Sequence, residues 1–381
     1  MTNYSNVGAH WALLSVLALA GCSGEAPTGG ANSESGTEDI VSSLGPAFVD
    51  AQGRTWENEG FVNYSKATVN DRVITTAAEN TDEKIMKMSL EEAAEYLRPV
   101  TEIGHYQYRL SKAEAIEFAK TVRESIASKA LLEAPATGAD GAATDREGRA
   151  IIPGFGDWYR INSSAHLSPY SYVASMDQGA GLCTGEKLIN NYTAVTAAHC
   201  VQDSSGNWMA RQRLRFRAGS ANTAYGGTGA ALAYVPSGCY ARTVPGCWTG
   251  VGGTCDYAVL ALRTFAGAWC DLATYNVGNF GYLTLNNEAS GVEARMATYP
   301  GSPPTGTYPS LFYHNRPDAE TQNNAWLYYH NDTLGGSSGG PVYNSSNQMR
   351  ATHVGYLSGN WNIGMRLTST VITFFQGSSG S

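Results

Sequence analysis

The feature that most constrains the fold is a series of short apolar segments after Ala150. Clusters of Gly, Asn, Ser and Pro separate them, and only 369–375 has helical spacing. Many short strands divided by turn residues, without helices between them, are typical of an all-β barrel or sandwich. The predicted strands are 170–176, 187–189, 194–196, 214–218, 257–262, 292–299, 326–330 and 354–357.

The first third of the chain differs from the rest in charge and in pattern. Residues 23–149 carry 13 Lys or Arg and 22 Asp or Glu, a balance of −9, whereas the rest of the chain has a balance of +1. Residues 89–98 and 111–133 have helical spacing, and Ser111 with Glu114 forms a predicted capping box at the start of the second helix. Loose polar stretches flank both helices. The pattern predicts a small, partly helical unit between two linkers.

The segment Gly336-Ser337-Ser338-Gly339-Gly340-Pro341 has the composition of a nucleophile loop. A serine hydroxyl needs an imidazole to take its proton and backbone N–H groups to receive the oxyanion. Glycines let the backbone turn sharply, so the N–H groups of Gly336 and Ser338 can face one small space. The candidate imidazole is His199, in Thr196-Ala197-Ala198-His199-Cys200.

A third residue should hold the imidazole in one tautomer, and Asp256 is the best candidate. It precedes the apolar run 257–262, which places a carboxylate at the mouth of a predicted buried strand. The chain order His199, Asp256, Ser338 is the order of chymotrypsin-type enzymes and differs from that of subtilisin and the α/β-hydrolases.

With these blocks, the chain from about 150 to 375 resembles the chymotrypsin-fold serine peptidases, and among them the bacterial glutamyl endopeptidases. Further carriers of the resemblance are Cys183-Thr184-Gly185, Tyr299-Pro300-Gly301, the segment from Asp332 to Leu334, and Thr352-His353-Val354-Gly355. The resemblance implies an all-β fold of two six-stranded barrels, with His199 and Asp256 from the first and Ser338 from the second. It also implies a disulfide between Cys183 and Cys200.

The cysteines favour an oxidising compartment. Setting Cys22 aside, six remain, and all lie after Ala150. Sequence leaves three pairings open for Cys239, Cys247, Cys255 and Cys270. No C-x-x-C pair occurs, so zinc is not expected, and neither a metal nor another cofactor is predicted.

The N-terminus predicts an exported precursor. Residues 11–20 are apolar but too few to span a bilayer, and they end in Leu19-Ala20-Gly21-Cys22. This pattern indicates a signal peptide over 1–21 and lipidation of Cys22, although residues 1–10 lack the usual Lys or Arg. An ordinary cleavage site after Ala20 is the alternative. A lipid at Cys22 would be the chain's contact with a membrane.

Residues 22–149 are interpreted as a propeptide, and 150–381 as the peptidase. Glu147-Gly148-Arg149 lies in a polar linker, and 150–153 resembles the mature start of glutamyl endopeptidases. An activating protease that cuts after Arg149 would free the α-amino group of Ala150. The alternative is that 47–133 form an independent docking module.

The sequence offers two specificities. Thr333 and His353 fall where the resemblance places the groups that hold a substrate glutamate, and Ala150 would supply its α-amino group. A hydroxyl and an imidazolium bind a carboxylate by charge-assisted hydrogen bonds. Asp332 falls where trypsin-like enzymes bind Lys or Arg, but Ser337 and Leu334 depart from the trypsin pattern. Cleavage after Glu, and less readily after Asp, is therefore favoured.

The expected partners are protein or peptide substrates. A trypsin-fold binding protein without activity is the alternative from another class, although such proteins typically lose a triad member and all three are present here. Nucleic acid is not expected, because the basic residues after Ala150 are balanced by acids.

Overall fold

The computed structural model describes 217 of the 381 residues, in twenty segments separated by gaps. These segments are 45–50, 52–65, 72–74, 81–103, 105–128, 147–150, 158–161, 167–178, 181–190, 192–203, 205–209, 213–218, 223–224, 232–239, 255–262, 278–284, 292–300, 311–319, 326–357 and 361–379. Cys22, Cys247 and Cys270 lie outside them, as do the predicted signal peptide and most of the predicted linkers.

The described residues form four helices and many short strands. The helices are α1 (Thr81–Lys87), α2 (Leu90–Leu97), α3 (Lys112–Ser128) and α4 (Ser369–Ser379). The strands of the first half are β1 (Ala47–Val49), β2 (Thr55–Phe61), β3 (Arg72–Ile74), β4 (Pro99–Ile103), β5 (Tyr106–Leu110), β6 (Glu147–Ala150), β7 (Trp158–Ile161), β8 (Val173–Asp177), β9 (Leu182–Lys187) and β10 (Thr193–Thr196). The remaining strands are β11 (Arg213–Ala218), β12 (Thr223–Ala224), β13 (Leu232–Pro236), β14 (Ala258–Ala261), β15 (Gly281–Tyr282), β16 (Val292–Thr298), β17 (Leu311–Ala319), β18 (Trp326–Tyr329), β19 (Pro341–Tyr343), β20 (Gln348–Leu357) and β21 (Trp361–Arg366).

The strands assemble into two curled sheets that are almost entirely antiparallel. One is 11-stranded, in the order β1-β2-β5-β4-β13-β14-β10-β9-β8-β11-β12. The other is 10-stranded and follows the path β18-β21-β20-β19-β16-β17-β7-β6, with β15 and β3 both attached to β20 in parallel. The predicted all-β fold class is thereby confirmed. No helix in the described segments is long and apolar enough to cross a membrane.

The predicted strand at 187–189 was misplaced. The strand here is β9, which begins at Leu182, and every one of its residues is buried. Its Thr, Gly, Glu and Lys residues give it a polar composition, so it lacks the alternation of a half-buried strand. Residues Tyr170–Tyr172, predicted as strand, form a 3₁₀ turn before β8.

The predicted helices of the first third are present. Ser89 caps α2 in a reciprocal capping box with Glu92, which the sequence reading overlooked. At α3, Ser111 accepts a hydrogen bond from the Glu114 N–H, but the Glu114 carboxylate accepts from the N–H of Thr55 instead of that of Ser111. The box predicted there is only half formed, because Glu114 ties the helix to β2.

The unit formed by 45–128, called here the N-terminal unit, is continuous with the rest of the fold. Its strand β4 pairs with β13, so β1, β2, β5 and β4 extend the 11-stranded sheet. Phe118 of α3 packs against Phe374 of α4, with ring centroids 6.1 Å apart. The N-terminal unit therefore shares a sheet and a core with the β domain.

Both ends of α4 are bound by side chains of the N-terminal unit. The Asp82 carboxylate accepts hydrogen bonds from the N–H groups of Ser369 and Thr370, at 3.1 and 2.8 Å. At the other end, Arg54 donates to the carbonyl oxygens of Gly377 and Ser378. A carboxylate at the N-terminus and a cation at the C-terminus both complement the helix dipole.

Candidate active site

A buried histidine and a buried aspartate form the centre of the candidate site. His199 Nδ1 lies 2.8 Å from Asp256 Oδ2, and the backbone N–H of His199 donates to Asp256 Oδ1 at 3.0 Å. Both oxygens of the Asp256 carboxylate therefore contact His199, one at its ring and one at its backbone N–H. Since a carboxylate only accepts, Nδ1 carries the proton and Nε2 is left as the basic nitrogen.

Two neighbouring antiparallel strands bring these residues together. His199 lies in the 3₁₀ turn Ala198–Cys200, one residue after β10, and Asp256 lies two positions before the start of β14. Thr196 at the end of β10 pairs with Ala258 at the start of β14, so the residues beyond each strand meet at the same edge. The sequence placed Asp256 at a strand mouth, and the pairing explains why His199 lies there too.

Ser338 lies in the loop between β18 and β19, in the other sheet. The loop contains two tight turns, with Ser337 N–H donating to Leu334 O and Gly340 N–H donating to Ser337 O. Gly339 has a φ of +84°, and an added Cβ there would lie 2.1 Å from Thr196 Oγ1. Glycine is therefore required at this position both by conformation and by space.

Thr184 of β9 joins the Ser338 loop to the sheet that carries His199. Its N–H donates to Ser338 O at 2.8 Å, and its hydroxyl donates to Gly336 O at 2.9 Å. The same hydroxyl accepts from the Tyr299 N–H at 3.0 Å. One residue therefore holds the loop at Gly336 and at the nucleophile candidate itself.

The disulfide implied by the resemblance lies beside this contact. Cys183 and Cys200 are bonded, with Cα atoms 6.1 Å apart. Their neighbours are Thr184, which holds the Ser338 loop, and His199. A loop of 17 residues closed in this way stabilises the fold by about 3 kcal/mol through lost entropy of the unfolded chain. Cys255 is also disulfide-bonded.

Ser337 stands where the resemblance to trypsin would place an acid. Its hydroxyl lies 3.1 Å from Thr298 Oγ1 and accepts from the Leu334 N–H at 3.3 Å. These contacts hold the loop through neutral groups, which agrees with the departure from the trypsin pattern noted in the sequence.

His353 of β20 is fully buried next to the Ser338 loop. Its backbone pairs with that loop, accepting from Gly339 N–H at 2.7 Å and donating to Gly340 O at 2.8 Å. Its ring atom Nδ1 lies 2.6 Å from the hydroxyl of Tyr329. Its other ring nitrogen, Nε2, has no hydrogen-bond partner among the described residues.

Tyr329 reaches His353 across the intervening strand β21. The strand order β18-β21-β20 places Gly364 between them, paired with His353 on one side. An added Cβ on Gly364 would lie 2.8 Å from Ala351 Cβ and 3.4 Å from the Tyr329 ring. Because Gly364 has no side chain, the ring of Tyr329 can cross β21 and reach His353.

The buried environment controls the charge of His353. Desolvation lowers the pKa of His353 to about 3, and His199 lowers this pKa as well, whereas Asp256 raises it. The imidazole is neutral at neutral pH. This holds for the chain without substrate, because a fully buried ring loses the hydration that would stabilise its charge. The imidazolium expected from the sequence refers to the ring bound to a substrate carboxylate and stays a prediction.

The other predicted specificity residues, Thr333 and Asp332, lie in the loop that follows β18. The Thr333 hydroxyl donates to Asn362 Oδ1 at 2.8 Å, and Asn362 also contacts the Asn331 carbonyl oxygen. Asp332 is buried, and its N–H donates to His314 Nδ1 at 2.6 Å. His314, which the sequence reading gave no role, thus supports the backbone at Asp332.

The predicted processing site lies in a strand instead of a loop. Arg149 and Ala150 belong to β6, where they pair with Tyr159 and Trp158. β6 is the terminal strand of its sheet path, so its second edge pairs with no other described strand. An edge strand is extended and open on one side, a shape that peptidases bind. The role of Ala150 in substrate binding stays a prediction.

The described residues contain one cluster with metal-ligand side chains, made of Cys183, His199 and Cys200. Its two sulfur atoms form the disulfide and cannot act as thiolates, and the histidine is bonded to Asp256. The donor set therefore does not fit a metal.

Sequence reasoning missed four residues that shape the site: Thr184, Tyr329, Asn362 and Gly364. Thr184 stood inside a quoted motif, and Tyr329 inside a predicted strand, but neither position showed which loop or ring it would meet. Asn362 and Gly364 lie on β21, for which no strand was predicted from the sequence. Their roles depend on the strand order.

One family model matches part of the chain. Residues 179–351 match the family model described as a trypsin-like peptidase domain. This segment includes His199, Asp256 and Ser338.

Two curated relatives match about half of the chain. Glutamyl endopeptidase of Bacillus licheniformis is 28% identical over 221 residues, which cover 55% of this chain and 63% of the relative. Extracellular metalloprotease of Bacillus subtilis strain 168 is 30% identical over 201 residues, covering 51% of this chain and 57% of the relative. The chain thus spans about three fifths of the length of each relative.

Solved structures are also similar to part of the chain. A Glu endopeptidase in complex with MPD is 20% identical, and the match covers 61% of this chain and 100% of that one, with a TM-score of 0.47. Protease Anisep from Arthrobacter nicotinovorans is 22% identical, with coverage of 55% and 96% and a TM-score of 0.41.

Proposed function

We propose that this chain, which carries a match to the trypsin-like peptidase domain over 179–351, is a serine endopeptidase made as an exported zymogen. The observation that carries the proposal is the buried pair of His199 and Asp256, at 2.8 Å, joined through Thr184 and the disulfide to the Ser338 loop. A nucleophile, a base and an orienting carboxylate are the parts that acyl transfer requires.

In the proposed mechanism, His199 Nε2 takes the proton of the Ser338 hydroxyl as its oxygen attacks the scissile carbonyl. Asp256 holds Nδ1–H and stabilises the imidazolium that forms. The N–H groups of Gly336 and Ser338 receive the oxyanion, and the imidazolium then protonates the leaving amine. Water activated by His199 breaks the acyl-enzyme, which restores the serine.

The proposed specificity is for Glu, and less readily for Asp, before the scissile bond. A neutral, buried His353 supports this if the Tyr329 hydroxyl donates to Nδ1, because Nε2 then carries a proton that a substrate carboxylate can accept. An arriving carboxylate would also raise the pKa of His353 and favour its charged form. Thr333 and the freed α-amino group of Ala150 are the other proposed ligands.

Cleavage after Lys or Arg is the second candidate, and it rests on the buried Asp332. The observations favour Glu, since the neutral contacts of Ser337 depart from the trypsin pattern. A binding protein without activity is the candidate from another class. The intact pairing of His199 with Asp256 argues against it, because a protein without activity has no need of an oriented base.

The zymogen part of the proposal covers the N-terminal third. A signal peptide over 1–21 directs export, Cys22 carries a lipid, and 22–149 are removed by an activating protease that cuts after Arg149. The name of the Bacillus subtilis relative, which describes it as extracellular, agrees with export. The placement of Arg149 in an edge strand gives that protease access.

Two experiments test the proposal. Peptides that differ only in Glu, Gln, Lys or Phe before one scissile bond should be cleaved with Glu fastest; a preference for Lys would favour Asp332 as the pocket acid. Ser338→Ala should leave only residual turnover, and activity near that of the unaltered protein would remove the assignment.

N-terminal sequencing of the secreted product tests the zymogen. A start at Ala150 that coincides with the gain of activity is expected. A stable, active chain that retains 45–128 would contradict it.

A further inference from the structure

The strand β3 belongs to the N-terminal unit but pairs outside it. Residues Arg72, Val73 and Ile74 run parallel to β20, opposite Gly355, Tyr356 and Leu357 respectively. The other four strands of the unit, in contrast, continue the 11-stranded sheet. β3 is therefore the strand that the unit extends onto the sheet of the nucleophile candidate.

The segment that β3 covers lies next to the nucleophile loop. His353, two positions before Gly355, pairs through its backbone with Gly339 and Gly340. At about 3.3 Å per residue, Gly355 lies roughly 7 Å along the strand from His353. A bound peptide with its scissile carbonyl at Ser338 would therefore reach the segment 355–357 about two to four residues from the scissile bond.

The covered edge has the properties of a docking strand for extended peptides. One edge of 355–357 is occupied by β21, which pairs with the same three residues. Among the described strands, only β3 pairs with the opposite edge. Removal of β3 would expose backbone N–H and C=O groups, and an extended peptide binds such an edge by adding a strand.

We infer that β3 occupies the site at which the backbone of an extended substrate pairs, so the N-terminal unit silences the peptidase by covering 355–357. The inference rests on the proposed function. It identifies the blocked site as a strand edge and leaves the pairing of His199 with Asp256 intact, as the full chain already shows.

The remaining contacts of the N-terminal unit hold β3 in place. β4 pairs with β13, Asp82 and Arg54 bind the two ends of α4, and Phe118 packs on Phe374. A short strand held in this way has a high effective concentration at its edge, so three paired residues can compete with free peptide.

The test uses the full chain with Arg149→Gln, which prevents the proposed cleavage. Val73→Pro and Ile74→Pro are made separately in this background, because successive N–H groups of a strand point to opposite sides and one of the two must face β20. The matched control is Val49→Pro, a proline in β1 at the far end of the other sheet.

Each protein is assayed with an octapeptide containing Glu and with a small fluorophosphonate that reacts with an activated serine but does not reach 355–357. We expect one of the β3 variants to cleave the octapeptide at least about tenfold faster than the control, while labelling by the fluorophosphonate changes less than about twofold. Equal octapeptide cleavage in all three, with Ser338 labelled in all, overturns the inference. Absence of labelling in all of them, with Ser338 labelled in the processed protein, also overturns the inference, because the site would then be silenced by something other than β3. Absence of labelling in the processed protein as well refutes the proposed function itself.

A second measurement avoids the proline variants, which could unfold the unit. The ratio of kcat/KM for the octapeptide to kcat/KM for a single-residue Glu anilide is compared in the Arg149→Gln chain and in the naturally processed protein. Because the anilide does not reach the edge, the ratio should be at least about tenfold higher after processing. An unchanged ratio contradicts the inference.

Discussion

The two sides of the candidate site differ in which segments of the chain form them. On one side, His199 and Asp256 are held by the adjoining strands β10 and β14, and both carboxylate oxygens are used. On the other side, the edge beyond His353 is covered by β3, which comes from a different part of the chain. In the full chain, therefore, the candidate base His199 is already oriented by Asp256, while the neighbouring edge of β20 is occupied by β3. Under the proposed function, activation then consists mainly of opening that edge.

The strongest test of this contrast is Asp256→Asn. An amide would favour the wrong tautomer of His199, so kcat for peptides should fall by roughly 10⁴-fold in the processed protein. Steady-state kinetics measures the loss. Asp177→Asn is the control, because its ion pair with Arg215 is long, at 3.8 Å, and partly exposed. A loss below about tenfold for Asp256→Asn would mean that the oriented pair is not the catalytic one.

The second prediction concerns His353, on the covered side. His353→Leu removes the Nε2 donor, so kcat/KM for Glu peptides should fall by about 10- to 100-fold, the value of a hydrogen bond to a charged group. Phe peptides should change less than about threefold. Matched peptides measure both effects. The control is His330→Leu, a histidine stacked on Trp361. Equal losses for Glu and Phe peptides would indicate a purely structural role for His353.

The third prediction tests how the N-terminal unit is attached. Asp82→Ala removes the acceptor at the start of α4, so the full chain should lose about 1–2 kcal/mol of stability. Thermal unfolding of the uncut chain measures the loss, and the processed protein, which lacks residue 82, should be unaffected. The control is Glu83→Ala, whose ion pair with Lys87 is long, at 4.0 Å, and exposed. An unchanged Tm for the uncut Asp82→Ala chain would contradict the proposed clamp.

The smallest expected effect is a change in stability with pH, and it concerns Glu186, which lies in the same sheet as β10 and β14. Glu186 of β9 is fully buried, its carboxyl oxygens have no partner among the described residues, and desolvation raises its pKa well above the ordinary value. The folded state therefore keeps a proton that the unfolded state releases above about pH 4.3. Stability from this group is full below that pH and declines as the pH rises toward the folded pKa.

Glu186→Gln should remove this dependence. Between pH 5 and pH 6, the original chain should lose about 1 kcal/mol more of its unfolding free energy than the variant. Denaturant unfolding at both pH values measures the difference, with the exposed Glu117→Gln as the control. Parallel losses in Glu186→Gln and the original chain would show that Glu186 is ionised in the fold.

Sequence patterns predicted the elements whose causes are local. The helix α3 follows from its apolar spacing, and the turns around Ser338 follow from their glycines. β9 was misplaced because both of its faces are buried, which removes the alternation that marks a strand. The half-formed capping box at Ser111 has a similar cause, since Glu114 found a partner in Thr55, far away in the chain.

The sequence by itself determined the fold class, the nucleophile loop and the candidate partners His199 and Asp256, because these depend on spacing and on residue chemistry. Only the tertiary structure decided that Tyr329 passes over Gly364 to reach His353, that burial leaves His353 neutral, and that β3 lies on β20. Strand order and desolvation arise from contacts between residues far apart in the chain. Local patterns carry no record of those contacts.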